Sequence, residues 1–272
     1  MNYREKTIKH LEKHKIETYP DLGDGVYRKK DGYKHILPKE HQEKNFLQIY
    51  RENILQSNLY DANKLHIYFS HLNSSQAMCF NFFYPLYHER KLELVLDSLG
   101  IKNEKINYST VCFEKDGKDK CEIKNYRPTS FDFYFETQNE KKFFFEIKYT
   151  EAEFGSAKND ISHQEKFNTV YSKFVNALND DFKTIEAFLK KYQICRNLIH
   201  IEENSFVVFV YPEANKKIRE GAESAKEIIN LNYSNNFKCI NWETLFQNIN
   251  DSIEEKKLKD HFNDFKSKYF HS

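Results

Sequence analysis

Turn-forming residues are scarce in this chain of 272 residues, which contains only seven glycines and five prolines. Glycine and proline together make up roughly 12% of an average protein, so this composition excludes a collagen-like or loop-dominated chain and favours long helices and strands. The length is that of one or two domains. Aromatic residues reach 16% of the chain. Because aromatic side chains bury large areas, this content excludes a wholly disordered protein.

Long apolar runs are also absent, since none approaches the ~18 residues that a transmembrane helix needs. Residues 1–15 are charged and polar and do not resemble a signal peptide. The five cysteines include no C-x-x-C pair, and a zinc site at Cys112 and Cys121 would need partners that the sequence does not reveal. We therefore expect a cytoplasmic protein with reduced cysteines.

An excess of charge of either sign is missing as well, because 42 Lys and Arg residues face 41 Asp and Glu residues. A strongly basic chain would have pointed to nucleic acid. A basic cleft can lie on a neutral protein, however, so the net charge neither supports nor excludes a nucleic-acid partner.

Hydrophobic periodicity predicts helices, then strands, then alternating helices and strands. The predicted helices are 5–15, 39–57, 76–83, 88–99, 163–179, 181–200, 214–229, 242–249 and 252–270, with Ser74 as the N-cap of the third and Pro85 ending it. The predicted strands are 106–114, 130–136, 142–149, 205–211 and 237–240. This order is that of an α/β layer fold with a mixed sheet.

One constellation in the predicted strands carries charged side chains that suggest chemistry. Side chains alternate along a strand, so Glu146 and Lys148 project from the same face. Asp132 lies on the preceding strand, and a tight turn at 138–141 would bring it close to Glu146. Two adjacent carboxylates call for a counter-charge. A hard cation such as Mg²⁺ supplies it, because it prefers oxygen ligands and phosphate co-ligands.

The alternative is an ordinary solvated face of a sheet, on which an acid and a lysine two residues apart are common. The apolar neighbours argue against this alternative. Phenylalanine occupies both faces of strands 130–136 and 142–149, and a strand buried on both sides carries charges only where they are paired or bind metal.

At these residues the sequence resembles the PD-(D/E)XK nuclease superfamily, whose fold is that of type II restriction endonucleases. Asp132 matches the Asp of the motif, and Glu146-Ile147-Lys148 matches Glu-x-Lys. The proline is displaced to Pro128, so the literal Pro-Asp pair is absent. Gln193-x-x-Arg196 is a further feature shared with one such subgroup. The resemblance covers roughly residues 70–215.

The resemblance implies an α/β restriction-endonuclease-like core with a mixed central β-sheet flanked by helices. It also implies Mg²⁺, for which Mn²⁺ can substitute, held by Asp132, Glu146 and the main-chain carbonyl of Ile147. Lys148 would orient or deprotonate the attacking water, or stabilise the developing charge.

The family often adds an acid from the helix that precedes the sheet. Glu89 and Glu93 both lie near the inward stripe of predicted helix 88–99, where successive residues are 100° apart. We expect Glu93 to complete the site, with Glu89 as the alternative and Glu114 as a weaker candidate. A solvated helix face remains open for both. Arg196 would contact a DNA phosphate or lie on the helix surface.

These features together predict a metal-dependent endonuclease of restriction type that hydrolyses double-stranded DNA. Residues 1–70 would form a mainly helical region, 71–215 the nuclease core, and 216–272 a helical extension. A homodimer would supply two active sites on a palindromic target, and a methyltransferase encoded nearby would complete a restriction system. The alternatives are a non-catalytic binding module on a nuclease fold and a repair or RNA nuclease.

Overall fold

A computed structural model of the protein describes residues 1–119 and 127–271. Cys121, one of the two cysteines considered for zinc, lies outside these residues. The described residues form two compact units, one within Met1–Lys102 and Glu243–Ser272 and the other within Asn103–Trp242. This division does not test where a functional core begins and ends, so boundaries at residues 70 and 215 stay a prediction.

The first unit is mainly helical and contains one small hairpin. Its elements are helix α1 (Tyr3–Thr18), strands β1 (Gly25–Tyr27) and β2 (Lys30–Tyr33), a 3₁₀ helix (Lys39–Asn45), and helices α2 (Gln48–Leu55), α3 (Ser75–His88) and α4 (Glu93–Ser98).

The second unit is built on a five-stranded sheet. Its elements are strands β3 (Ile106–Asp116), β4 (Ser130–Thr137) and β5 (Lys142–Ile147), helices α5 (Ile161–Thr169), α6 (Ile185–Lys190) and α7 (Tyr192–Leu198), strand β6 (Ser205–Tyr211), helix α8 (Lys216–Ile228) and strand β7 (Phe237–Asn241). Helices α9 (Trp242–Asn250) and α10 (Lys256–Tyr269) follow in the chain, and residues from Glu243 onward belong to the first unit.

The sheet is mixed, as the sequence predicted, with the strand order β3-β4-β5-β6-β7. Strands β3, β4 and β5 pair antiparallel, whereas β5, β6 and β7 pair parallel. Both faces of the central strands are buried, since Phe133, Phe145, Val207 and Val208 are all 0% exposed. The α/β fold class is therefore confirmed, and so is the expectation that charged groups on these strands lie in an apolar setting.

Predicted helix 39–57 is wrong in its middle, where the 3₁₀ helix gives way to α2 at residues 46–47. The buried Asn81 side chain explains the break. It accepts a hydrogen bond from the Leu47 N–H and donates to the Asn45 carbonyl, which also accepts from Lys268. These main-chain groups are therefore satisfied without a continuous helix.

Pro85 does not end its helix, because α3 continues from Ser75 through Pro85 to His88. Proline at this position leaves the carbonyl of Asn81 without its helical donor. The ring of the buried His261 approaches that carbonyl at 2.7 Å and takes the donor's place. The predicted N-cap is confirmed, since the Ser74 hydroxyl accepts from the Ala77 N–H.

Predicted helix 88–99 is wrong at its start. Arg90 adopts a left-handed conformation with φ of 56°, and the Lys91 N–H returns to the Leu86 carbonyl. Glu89 therefore caps the end of α3, while Glu93 begins α4. The two acids do not share one helix, so the 100° spacing used to compare them does not apply.

The predicted helices 163–179 and 181–200 are shorter and broken into α5, 3₁₀ turns, α6 and α7. The break between α6 and α7 has a local cause. The Gln193 N–H donates to Gly155, and the Leu189 carbonyl accepts from Ala157. The segment 155–157 thereby satisfies both groups that would otherwise bond to each other in a continuous helix.

Candidate active site

Asp132 and Glu146 meet at one end of the β4–β5 pair. The antiparallel register joins Phe133 to Phe145, and one further step along both strands places Asp132 opposite Glu146. The Asp132 carboxylate accepts a hydrogen bond from the Ile147 N–H at 2.6 Å. This bond fixes the aspartate against the Glu146-Ile147-Lys148 segment, as the sequence predicted.

Glu146 is 5% exposed and is held by three donors. Its Oε1 atom lies 2.8 Å from Lys148 Nζ and accepts from Gln193 Nε2 at 2.8 Å. Its Oε2 atom accepts from Asn197 Nδ2 at 3.0 Å. Gln193 and Asn197 are one helical turn apart on α7, so both amides reach the sheet from the same face of that helix. The carboxylate is therefore locked in orientation.

Lys148 is 7% exposed, and its main chain is anchored on both sides. The Lys148 N–H donates to the Val210 carbonyl of β6, and the Lys148 carbonyl accepts from the indole N–H of the buried Trp242. Its ammonium group also lies 5.2 Å from the centre of the Phe154 ring, in the geometry of a cation–π contact. The main-chain bonds thus fix where the side chain starts, and the contacts with Glu146 and Phe154 hold the ammonium group.

The site gathers several carboxylates and one ammonium group in an apolar region, and this shifts the pKa values of Asp132 and Lys148. Burial raises the pKa of the Asp132 carboxyl well above its usual value, and the nearby Glu146 and Glu114 carboxylates raise it further. Burial lowers the pKa of Lys148, but Glu146 and Glu151 more than offset it, so the net shift is upward. Lys148 is consequently an ammonium ion at neutral pH.

Glu114 belongs to this group more closely than its sequence position suggested. It lies in β3 with a left-handed φ of 53°, a conformation that costs free energy for a residue with a side chain and is often found at functional sites. Its Oε2 atom accepts from the Ser130 hydroxyl at 3.1 Å, and its charge acts on Asp132. The charge of Glu114 thus adds to that of Glu146 in raising the pKa of Asp132, whereas a role for Glu114 in holding a metal stays a prediction.

The donor chemistry of the pair fits a hard divalent cation. Within residues 1–119 and 127–271, no three His, Cys, Asp or Glu side chains come together as ligands of one ion. Mg²⁺ does not require three, because it is commonly held by one or two carboxylates and keeps several waters. Asp132 and Glu146 supply two carboxylates, and a cation would relieve the repulsion that raises the pKa of Asp132.

Glu93 and Glu89 both belong to the first unit, whereas Asp132, Glu146 and Lys148 belong to the second. Glu93 begins α4 in the first unit. Glu89 accepts a hydrogen bond from the Tyr50 hydroxyl at 2.7 Å and lies 3.9 Å from Lys257, which gives it a structural role within that unit. The part played by Glu93 stays a prediction.

Arg196 is neither an exposed surface residue nor aimed at solvent. Its guanidinium lies 3.6 Å from the buried Asp119 carboxylate, donates to the Arg127 carbonyl, and sits over the rings of Tyr171 and Tyr192. These contacts fasten α7 to the chain that leads into β4. Arg196 therefore holds α7 to this part of the chain, and a contact with a DNA phosphate stays a prediction.

Asn197 and Trp242 are the contributors that the sequence did not reveal. Gln193 was noticed as part of Gln-x-x-Arg, but its contact with Glu146 was not predicted. The one signal available was the i,i+4 spacing of Gln193 and Asn197, two amides on one face of a helix with apolar neighbours. That spacing is common on solvated helices, so it would not have singled them out.

Substitution tests whether the α7 amides position Glu146. Gln193→Ala or Asn197→Ala should reduce any metal-dependent activity of this site by about 10–100-fold, the usual cost of losing a group that orients a metal ligand. The Mg²⁺ concentration giving half-maximal activity should rise in parallel, because a mobile Glu146 binds metal less well. Asn168→Ala, on the exposed side of α5, is the matched control. An unchanged Mg²⁺ dependence in folded Asn197→Ala would show that Asn197 does not position Glu146.

Comparison with known proteins gives one match. The family model described as "Restriction Endonuclease associating with ARP" matches residues 8–270. No curated protein and no solved structure matches the chain. No helix among the described residues is both long enough and apolar enough to cross a membrane.

Proposed function

Since this chain belongs to the family described as restriction endonucleases associating with ARP, we propose that it hydrolyses phosphodiester bonds of double-stranded DNA with Mg²⁺ held by Asp132 and Glu146. The family match confirms the resemblance to restriction endonucleases seen in the sequence. The observation that supports the catalytic assignment is the convergence of Asp132, Glu146 and Lys148 in a buried part of the sheet.

The cation, when bound, would polarise the phosphodiester and lower the pKa of a coordinated water. Asp132 and Glu146 would hold it, and the main-chain carbonyl of Ile147 would be a further ligand. The hydrogen bonds from Gln193 and Asn197 keep Glu146 oriented before the substrate arrives. Such preorganisation avoids the cost of rearrangement during the reaction.

Lys148 acts as a cation in this proposal. Its ion pair with Glu146 at 2.8 Å places the ammonium beside the proposed metal ligands, where it would orient the attacking water and stabilise negative charge on the phosphate. A buried ammonium beside the reacting phosphate is effective because little solvent screens it. The ion pair thus supports charge stabilisation, and removal of a proton from the water by Lys148 stays an alternative from the sequence.

The assembly is a separate part of the proposal. The description of the family names association with ARP, and we extend this association to the present chain. A homodimer would place two active sites on a double-stranded target, and a methyltransferase encoded nearby would protect the host. Co-purification of the tagged chain and its measured mass in solution test these partners.

Metal dependence is the first experimental test. Plasmid DNA should be cleaved with Mg²⁺ or Mn²⁺, whereas Ca²⁺ should support binding with little turnover, because Ca²⁺ accepts looser geometry and activates water less well. Gel electrophoresis of plasmid incubated with each ion measures this. Full cleavage in excess EDTA would rule out a metal nuclease.

The third carboxylate is tested by comparing three conservative variants. If Glu93 completes the site, Glu93→Gln should cut the cleavage rate by more than ~10²-fold, while Glu89→Gln should have little effect. If Glu114 does so, the loss should instead follow Glu114→Gln. Single-turnover cleavage rates decide between them, and full rates in all three variants would leave the site with Asp132, Glu146, Lys148 and water.

A further inference from the structure

A second candidate site lies in the first unit, beside the β1–β2 hairpin. It is a pocket of about 660 Å³, within the ~300–1,000 Å³ typical of small-ligand sites. Its walls come from the chain before and within β1, from the start of the 3₁₀ helix and from the segment around Tyr68. None of its lining residues belongs to the Asp132–Glu146–Lys148 group.

Aromatic rings form one wall of this pocket. Tyr27, Tyr68 and His71 all line it, and their ring centres are 5.0–5.4 Å apart. Tyr68 remains 37% exposed. Burial lowers the pKa of His71 to about 4, so its imidazole is an uncharged aromatic ring at neutral pH. Every nucleobase has a flat face that can stack on such rings.

Two exposed apolar side chains also line the pocket. Ile67 is 72% exposed and Val26 is 58% exposed. Large aliphatic side chains beside an aromatic wall offer a surface for the apolar parts of a base or sugar. Their exposure costs solvation free energy in the empty protein, which a ligand would recover.

The polar groups of the pocket match the two ends of a nucleotide. Arg28 and Lys39 are exposed cations suited to a phosphate. Asp21 and Glu40 are carboxylates that can accept hydrogen bonds from the exocyclic amino groups of bases. The remaining lining carboxylate, Asp24, is already paired with the buried Lys15 at 3.0 Å.

The turn of the β1–β2 hairpin has a backbone conformation that arginine and lysine rarely adopt. Arg28 and Lys29 have φ values of 50° and 63°, whereas hairpin turns that need two positive φ angles normally use Asn and Gly. Left-handed non-glycine residues cluster at ligand clamps and other functional sites. With Lys30 the turn presents three consecutive exposed cations.

We propose that this pocket binds a nucleotide, with its base against Tyr27, Tyr68 and His71 and its phosphate at Arg28 and Lys39. The source of the nucleotide is the target DNA, in which an unpaired or extruded base enters the pocket while the basic turn follows the backbone. This inference rests on the proposed DNA substrate. Extruding a base costs stacking and pairing free energy, and this cost is smallest when the base has no partner.

Binding to two duplexes tests the pocket separately from catalysis. One duplex contains a single unpaired 2-aminopurine and the other contains the same base paired, and both are titrated with the full chain in EDTA. The unpaired duplex should bind at least ~10-fold more tightly, with 2-aminopurine fluorescence quenched by stacking, since base–aromatic stacking is worth roughly 5- to 150-fold. Tyr68→Ala should abolish the preference, and Tyr68→Phe should retain it.

Matched controls separate the aromatic wall from the basic turn. Arg28→Ala should weaken binding of both duplexes, whereas Lys6→Ala, an exposed cation on α1, should not. Leu231→Ala removes an apolar side chain that is 87% exposed and should also have no effect. Equal binding of both duplexes by the parent, together with no binding of free deoxynucleoside monophosphates, would overturn the proposal.

Three further outcomes separate the pocket from the nuclease assignment and from the source of the nucleotide. If free monophosphates bind in a Tyr68-dependent manner while the duplexes are not distinguished, the nucleotide site stands and its ligand is a free nucleotide. If the protein binds the duplex with the unpaired base more tightly but does not cleave DNA under any condition, the pocket is supported and the nuclease assignment is wrong. Cleavage with Mg²⁺ by a parent that binds neither probe would reject the pocket alone.

Discussion

Replacing Glu146 by Gln should reduce DNA cleavage by roughly 10³-fold or more, the loss typical of removing a group that acts only as part of a catalytic set. The glutamine has nearly the same shape but no negative charge. It cannot serve as a carboxylate ligand, and the Lys148 ammonium at 2.8 Å loses its counter-ion. Single-turnover cleavage of a defined plasmid measures the effect.

The conclusion from Glu146→Gln depends on an intact fold. Circular dichroism and the thermal midpoint of unfolding provide this check. Glu203→Gln, on an exposed residue before β6, is the matched control and should cleave at the parental rate. A folded Glu146→Gln protein that cleaves normally would show that this carboxylate is not part of the active site.

Replacing Lys148 by Met should have the second largest effect, a loss of about 10²–10³-fold in the cleavage rate, comparable to losing a preorganised charge-stabilising donor. Methionine keeps an apolar stem but removes the ammonium. Lys148→Arg should also lose activity, although it keeps the positive charge, because the planar guanidinium is larger and presents its donors in a fixed fork. DNA binding should persist, because the ammonium stabilises the negative charge that develops on the reacting phosphate during cleavage.

Removing one member of a buried ion pair can also destabilise the fold by several kcal/mol. Activity of Lys148→Met is therefore compared with that of Lys142→Met, which changes the first residue of β5. Lys142 precedes Lys148 by six residues, so alternation along the extended chain places the two lysines on the same face. If both variants lose stability but only Lys148→Met loses cleavage, the effect is catalytic. Equal cleavage by the two variants would contradict the assigned role.

Local rules predicted the approach of Asp132 to Glu146 and the shared face of Glu146 and Lys148. Alternation along a strand fixes which side chains share a face, and a short turn fixes which strands are neighbours. These rules operate within about 20 residues of sequence, and here the observed register agrees with them.

Several of the failures share one cause, which is a partner far away in sequence. Pro85 lies within a helix because His261 satisfies the carbonyl that proline leaves without a helical donor. Helix α2 begins later than predicted because Asn81 bonds to the main-chain groups before it. Gln193 and Asn197 meet Glu146 only because α7 packs over the sheet. No pattern along the chain specifies such contacts, since each depends on how elements pack together.

The most direct test of the central claim is the cleavage rate of the double variant Asp132→Asn/Glu146→Gln beside those of the two single variants, all folded and all assayed with Mg²⁺. Residues that act as one catalytic unit are strongly non-additive. We therefore expect each single variant to lose roughly 10³-fold and the double variant to be scarcely worse than either. Losses that multiply, or a single variant that cleaves at the parental rate, would contradict an active site built on this pair of carboxylates.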